Sequence, residues 1–269
     1  MPELPEIERL AAQLRRAVVG RDVARVLGRR RGMLNVAPDE ASARLGGPLR
    51  EVRRRGKEAV LSGERADAWL HLGLGGEVRA ATAGDAERAA GALVFADGTA
   101  LVVDKVFMGH LHVLLPAESQ QRWESYGRDP LDPSFDVAAL AGALRARPRA
   151  ALKAALTDQS AIAGIGNLYA DEILLCAGLH PLRRVATLGD ADLRRLHEAM
   201  QAVLREAVAA GGEAGYVGLD GQPGSYRARI HRQPACGRCG TPTVELRLSG
   251  RVTTVCPLCQ PAPGEARDA

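Results

Sequence analysis

The chain has 269 residues and carries 36 lysines and arginines against 32 acidic residues, a net charge of +4. That length can hold two modest domains, each with its own core, and that charge suits a nucleic-acid partner without requiring one. No apolar run approaches the roughly 18 residues a membrane span needs, and the acidic, proline-containing start does not read as a signal peptide, so a cytoplasmic protein is expected.

The first expected element is a helix, because Leu4, Ile7, Leu10, Leu14 and Val18 recur at three- and four-residue steps and the pattern stops at Gly20. Ahead of it stands Met1-Pro2-Glu3-Leu4-Pro5-Glu6. Removal of Met1 would give Pro2 a free secondary amine, and an α-amino group titrating at roughly 7.7 to 8.0 is partly unprotonated at neutral pH. Attack of that amine on an aldehyde-level carbon gives an iminium ion, which is an electron sink. Glu3 and Glu6, three residues apart and so on one helical face, are carboxylates within reach of it.

From Val23 to about Val113 the pattern changes to short β-rich runs at 23–27, 49–53, 59–61, 68–72, 77–80, 92–95, 100–103 and 111–115. Gly, Asp and Pro separate them, as in a sandwich or barrel, and Asp97-Gly98 makes a hairpin turn. The most charged stretch is Arg53-Arg54-Arg55-Gly56-Lys57, which composition alone would make a solvated edge strand. The chain has only three lysines, Lys57, Lys105 and Lys153, so Lys57 stands out: an ammonium gives up its proton where a guanidinium does not. In His71-Leu72-Gly73-Leu74-Gly75-Gly76 the glycines allow a partner to approach the backbone. Leu74 is there either as an apolar wedge or as the buried residue of a turn. Phe107 and Met108, in Asp104-Lys105-Val106-Phe107-Met108-Gly109, are large enough to unstack bases, or to fill the core at a strand end.

Tyr126 to Pro133 holds two prolines, a glycine and no periodicity, and reads as a linker. Beyond it Leu140, Leu144, Leu152 and Leu156 mark apolar helical faces. In Gly164-Ile165-Gly166-Asn167-Leu168-Tyr169-Ala170-Asp171-Glu172 the glycines permit a tight turn, Asn167 is a suitable N-cap, and Leu168, Ile173 and Leu174 form a buried face. Backbone N–H groups at such a helix start make an anion site that can take a phosphate. Asp190 to Val208 is a further amphipathic helix, followed by a short glycine-rich stretch, 212–226. Cys236-x-x-Cys239, sixteen residues, then Cys256-x-x-Cys259 specify one structural zinc ion on a β-hairpin. Around them, residues 225–260 hold six arginines and one acid, Glu245, a basic module.

Taken together, these stretches resemble the formamidopyrimidine/endonuclease VIII family of DNA glycosylases over almost the whole chain. The Pro2-Glu3-Leu4-Pro5-Glu6 start, the Arg54-Arg55-Gly56-Lys57 strand end, the His71–Gly76 loop, the linker, Gly164 to Pro181 and the paired cysteines carry the likeness. It implies Pro2 as nucleophile, Glu3 and Glu6 as acid/base and stabilising groups, and Lys57 near a sugar phosphate. His71, Leu74, Phe107, Met108, Gly166, Asn167 and Arg251 are implied as DNA contacts, with Cys236, Cys239, Cys256 and Cys259 on zinc. The family's formamidopyrimidine branch has two arginines and an aromatic where this chain has Val106, Phe107 and Met108, and a longer loop at 212–226. A charged readout of cytosine and a purine-closing loop are therefore not expected.

The implied fold is α+β. A β-sandwich domain with an N-terminal helix (1–118) is followed by a linker (119–135), a helix-two-turns-helix domain (136–224), a zinc ribbon (225–262) and a tail (263–269). The implied activity is a bifunctional glycosylase and abasic-site lyase acting on damaged double-stranded DNA, as a monomer in the bacterial cytoplasm or nucleoid. Two alternatives stand beside it: a lyase or glycosylase for non-purine or bulky lesions, and a DNA-binding protein without catalysis.

Overall fold

The computed structural model describes residues 1–248 and 250–264. They fall into two compact units: Met1–Ser125 with Gly211–Ser225, and Tyr126–Ala210 with Tyr226 onward.

The first unit opens with α1 (Leu4–Val18). Pro5 suits a first turn, where its missing N–H costs nothing, and the helix buries Leu4, Ile7, Leu10, Ala11, Leu14 and Val18. Then follow β1 (Asp22–Gly28), α2 (Pro38–Leu45), β2 (Gly47–Pro48), β3 (Glu51–Arg55), β4 (Glu58–Ser62), β5 (Asp67–His71), β6 (Glu77–Thr82), α3 (Ala83–Ala86), β7 (Gly91–Phe95), β8 (Thr99–Asp104), β9 (His110–Leu114) and α4 (Pro116–Ser125). The strands form two antiparallel sheets, ordered β2-β1-β7-β8-β6 and β3-β4-β5-β9. Val26, Leu93 and Leu101 of the first and Val52, Leu61, Leu70 and Leu111 of the second share one core with α1, a sandwich in which each buried leucine contributes about 2 kcal/mol. Two short helices inside the β-rich stretch were not anticipated. For α2 the signals were present, with Pro38 in its first turn followed by Asp39 and Glu40.

The four-stranded sheet has two unlike faces. Alternation along each strand puts Val52, Ala59, Leu61, Ala68, Leu70, Leu111 and Val113 on the core side. The register sets Arg55 against Glu58, Glu58 against His71 and His71 against His110, one row across four strands on the other side. Helix α4 covers that side: Trp69 is fully buried, donates its indole N–H to Ser119 at 2.9 Å and meets Trp123 edge-on at 6.1 Å.

The second unit contains α5 (Val137–Arg145), α6 (Leu152–Thr157), α7 (Asn167–Ala177), α8 (Asp190–Ala209) and a hairpin of β10 (Val244–Leu248) and β11 (Arg251–Val255). Asp136 caps α5 by accepting from the Ala139 N–H at 2.8 Å. Helix α7 ends on Gly178 in the left-handed conformation, φ 66°.

The expected divisions differ from the observed ones in two places. Residues 119–125 are the body of α4, and Gly127 and Arg128 bond to Gln159 and Ala163 of the second unit, so the segment 119–135 is not a free linker. Residues 211–225 pack in the first unit rather than continuing the helical one. The cause is polar: Arg9 on α1 pairs with Asp220 and bonds the carbonyls of Gly211 and Gln222, while Gln13 accepts from the Leu219 N–H. Tyr216 is buried in the same core. The tail residues 265–269 lie outside the described residues.

Candidate functional site

In the first unit the N-terminus is held by its own carboxylates. Met1 is exposed and Pro2 half-buried, whereas Glu3 and Glu6 are buried. Glu6 turns back so that its Oε2 accepts from the Glu3 N–H at 2.7 Å, one half of a capping box. Its Oε1 accepts from the Glu213 N–H at 2.9 Å. One carboxylate thus fixes both the peptide after Pro2 and the start of the 211–225 segment. That second contact joins residues 207 apart in the chain and could not be seen in the sequence. A charged carboxylate suits this place, at the positive end of α1.

Helix α1 is in turn tied to the strand that leads to Lys57. Arg54, 6% exposed in its side chain, pairs with Glu8 at 2.7 Å, and Arg15 donates to the Val52 carbonyl. β3 is an edge strand of its sheet, and its arginines are partnered there: Arg53 and Arg55 also lie over the Trp123 ring at 4.6 and 5.1 Å. Lys57 follows in the tight turn between β3 and β4 and is half-buried. Its charge reaches His71, whose imidazole is pushed down to about 4, first by burial and further by His110, Lys57 and Arg122, against the upward pull of the Glu58 carboxylate.

The loops at 72–76 and 105–109 are zipped together. Leu74 N–H donates to the Phe107 carbonyl at 2.7 Å and Phe107 N–H returns to Leu74 at 3.2 Å. Gly73 is required here: its φ is +57°, and a Cβ would stand 2.1 Å from the Phe107 carbonyl oxygen. Met108 and Lys105 also adopt positive φ, 60° and 53°, a cost of about 1 kcal/mol or more for each non-glycine residue. The result is a tip with Leu74 43%, Phe107 63% and Met108 66% exposed, so none of the three is a core residue.

In the second unit the cap of α7 is Gly166, and Asn167 is the first helical residue, one place on from the expected cap. The competing partner is the hairpin: Asn167 Nδ2 donates to the Val252 carbonyl at 3.0 Å. Its Oδ1 is buried without a hydrogen-bond partner among the described residues. Asn167 and Arg251 line one cavity of about 250 Å³, with Lys153, Ala154, Thr157, Asp158 and Leu248. The structure thus brings together two residues expected to meet DNA and adds Lys153, which the sequence flagged only as one of three lysines. Lys153 is buried, bonded to Asp171 at 2.6 Å and Thr253 at 2.9 Å. Helix α7 has no acidic residue in its first turn, so nothing of its own neutralises the helix's positive end.

Asp171 and Glu172 are engaged elsewhere. Asp171 also meets His231 at 2.7 Å, and Glu172 accepts from the N–H groups of Arg229, Ile230 and His231 at 2.8 to 2.9 Å and from the Tyr226 hydroxyl. These bonds fasten the chain entering the ribbon to α7. The sulfurs of Cys236, Cys239, Cys256 and Cys259 all lie within 4.8 Å of one another, as tetrahedral zinc with bonds of about 2.3 Å demands. The hydrogen-bonding contact with Thr241 draws the Cys239 thiol down to about 6, while burial pushes Cys259 up to about 12. A thiolate beside thiols that resist ionisation is a set completed by a cation. Cys176 lies exposed on α7, apart from this group.

Comparison with known proteins covers almost the whole chain. Residues 1–113 match the formamidopyrimidine-DNA glycosylase N-terminal domain, 126–216 the formamidopyrimidine-DNA glycosylase H2TH domain, and 234–262 the zinc finger found in FPG and IleRS. The formamidopyrimidine-DNA glycosylase of Salinispora arenicola is 38% identical over 288 residues, covering 100% of this chain and 99% of its own. The MutM (Fpg) protein of Thermus thermophilus superimposes with a TM-score of 0.84 at 32% identity, covering 96% of this chain and 98% of that one. A complex of the Lactococcus lactis Fpg with DNA containing an abasic site gives 0.86 at 26% identity, covering 97% and 100%.

Proposed function

This chain belongs to the formamidopyrimidine-DNA glycosylase family, and from that premise we propose that it is a base-excision repair glycosylase and abasic-site lyase whose nucleophile is the Pro2 amine. The observation that carries this reading is the Glu6 carboxylate, which holds the Glu3 N–H and so fixes the peptide that bears Pro2. Glu6 is a positioning group in this scheme. The lesion is flipped from the duplex. Once Met1 is removed, the Pro2 nitrogen bonds to sugar C1′ as the bond to the base breaks, and the base leaves with a proton. Glu3 supplies a proton to the sugar ring oxygen, the ring opens, and the nitrogen and C1′ become an iminium. That cation acidifies the C2′ hydrogen, whose loss expels the 3′ phosphate oxygen, the β-elimination. Lys57 neutralises a neighbouring phosphate and serves as acid or base. Gly166, Asn167 and Arg251 grip the backbone of the duplex without reading sequence, and zinc holds the ribbon that carries Arg251. The enzyme acts as a monomer in the bacterial cytoplasm; no helix of the described residues is long and apolar enough to cross a membrane.

A second reading, a preference for lesions other than oxidised guanine, rests on the tip of Leu74, Phe107 and Met108 and on the 211–225 segment pinned to α1. Apolar side chains stack but carry no hydrogen-bond donors for a base edge. Borohydride trapping and nicking on duplexes with oxidised guanine, formamidopyrimidine, oxidised pyrimidine or a plain abasic site tests both. Covalent adducts that vanish in Pro2→Gly support the mechanism, and the set of duplexes cleaved names the lesion class. A wild-type protein that traps on none of them overturns it.

A further inference from the structure

Beneath Lys57 lies a polar cluster that the proposed mechanism does not use. Glu58, fully buried, follows Lys57 directly. Arg122, reaching down from α4, donates its Nε to Glu58 Oε2 at 2.9 Å and its Nη2 to Oε1 at 2.6 Å, a bidentate pair. His110 Nε2 lies 2.8 Å from Glu58 Oε1 and 2.7 Å from Arg122 Nη2, and Arg122 Nη1 lies 3.2 Å from His112 Nδ1. Three imidazoles stack above the pair: His71 on His110 with centroids 5.4 Å apart, His110 on His112 at 4.0 Å. These residues root three loops at once. Glu58 anchors the Lys57 turn, His71 the loop bearing Leu74, and His110 the loop bearing Phe107 and Met108, whose Gly109 carbonyl accepts from Arg30.

A buried carboxylate must be paired, and a permanently charged guanidinium pairs it without drawing on the imidazoles for protons. Burial first holds the His71 imidazole neutral, the Glu58 charge pulls it up, and His110, Lys57 and Arg122 push it down, so both members of the ion pair enter the balance around it. Its tautomer is set separately: Nδ1 accepts from the Gly73 N–H at 3.0 Å, which leaves Nε2 to carry the proton of the neutral ring.

We infer that Arg122 is a positioning residue for the Lys57 end of this sheet: by holding Glu58 in a bidentate pair it fixes the turn that carries Lys57 and the imidazole stack in which His71 is oriented as an Nε2–H donor. Without Arg122, the Glu58 charge falls to its other partners, His110 among them, and the His71 midpoint rises from about 4. On acidification a second cation then stands beside Lys57 at a higher pH than in wild type, and the phosphate grip becomes dependent on pH. This rests on the proposed role of Lys57 and His71 at the DNA backbone.

The test compares wild type, Arg122→Met and the double variant Glu58→Gln/Arg122→Met, which removes both charges and suits burial. Imidazole resonances are titrated in each, and duplex binding is measured against salt at pH 7.5 and 5.5. In Arg122→Met the His71 midpoint moves up by about one pH unit or more. The steepening of the salt dependence on acidification exceeds that of wild type by about 0.9, one further phosphate contact. Lyase turnover falls about tenfold, and the double variant restores the low midpoint and most of the turnover. A His71 midpoint unchanged in Arg122→Met overturns the inference, as does a double variant no better than the single one, which would make Arg122 a packing residue. Failure of wild type to trap on abasic DNA would instead sink the glycosylase reading and leave the titrations to judge this one.

Discussion

Two helix starts in this protein use the same dipole in opposite ways. At α1 the positive end is occupied by the chain's own carboxylates: Glu3 and Glu6 are buried there, and Glu6 accepts two backbone N–H groups. At α7 the first turn holds no acid, Asn167 Oδ1 lacks a partner among the described residues, and Lys153 and Arg251 line the same cavity. A helix start that is already neutralised can hold a nucleophile steady but has little left for an anion. One that is not neutralised is free to take a phosphate from outside. The difference is what the proposed chemical role at α1 and the proposed gripping role at α7 each require.

The largest expected effect breaks the second site alone. The hairpin supplies Val252 to Asn167 and Thr253 to Lys153, so stripping zinc from the four cysteines removes the support of the whole cavity. Chelation is expected to weaken binding to an uncleavable abasic-analogue duplex by about a hundredfold or more. Both tryptophans, Trp69 and Trp123, lie in the first unit, so the thermal transition followed by their fluorescence should stay where it was. A matching fall in that transition would mean that the ribbon stabilises more than its own unit.

The reverse experiment is Glu6→Ala. It strips α1 of the carboxylate while leaving α7 alone, and leaves two N–H groups without their acceptor, at about 1 to 3 kcal/mol for each such group. Single-turnover lyase rates are expected to fall by about ten- to a hundredfold while duplex affinity changes less than about threefold, since the interaction lost is made at the reacting end. Equal losses in both would show that α1 also grips DNA. Arg251→Ala is milder. It should weaken binding evenly across sequences and lower the salt slope by about one contact, with lyase turnover at saturating DNA unchanged.

The sequence made much of this legible because the groups proposed to react are local. Pro2, Glu3 and Glu6 are neighbours, the cysteine pairs declare a tetrahedral site by spacing alone, and short β-rich runs set off by Gly, Asp and Pro marked the strands. What it did not show are contacts that depend on register and distance. Glu58 and Arg122 are 64 residues apart, Lys153 and Thr253 100, Glu6 and Glu213 207. Nothing in the local pattern says that Glu58, His71 and His110 share a row, because that requires knowing which strands pair. Asn167 was misplaced by one position for the same reason: as a local rule it is a cap, but a carbonyl 85 residues away claimed its amide.

The smallest effect separates the units by acid. His71 and His112 are both pushed down to about 4, first by burial. Burial pushes Glu58 the other way, upward, but the bonds from His110 and Arg122 outweigh it and lower Glu58 to about 2. Between pH 6.5 and 4 the unfolded chain therefore binds protons on these imidazoles that the folded first unit refuses. Their contribution is fully present above 6.5 and is lost as pH falls through that window. Glu58 adds a second loss as pH drops from its ordinary 4.5 towards 2. Tryptophan fluorescence, which sees only the first unit, should record a melting temperature that declines from pH 6.5 downward. His112→Gln should make the decline between 6.5 and 4 shallower while leaving the part below 4.5 in place. A decline that begins only below 4.5 in wild type would place the acid sensitivity in the carboxylates and free the imidazoles of any share in it.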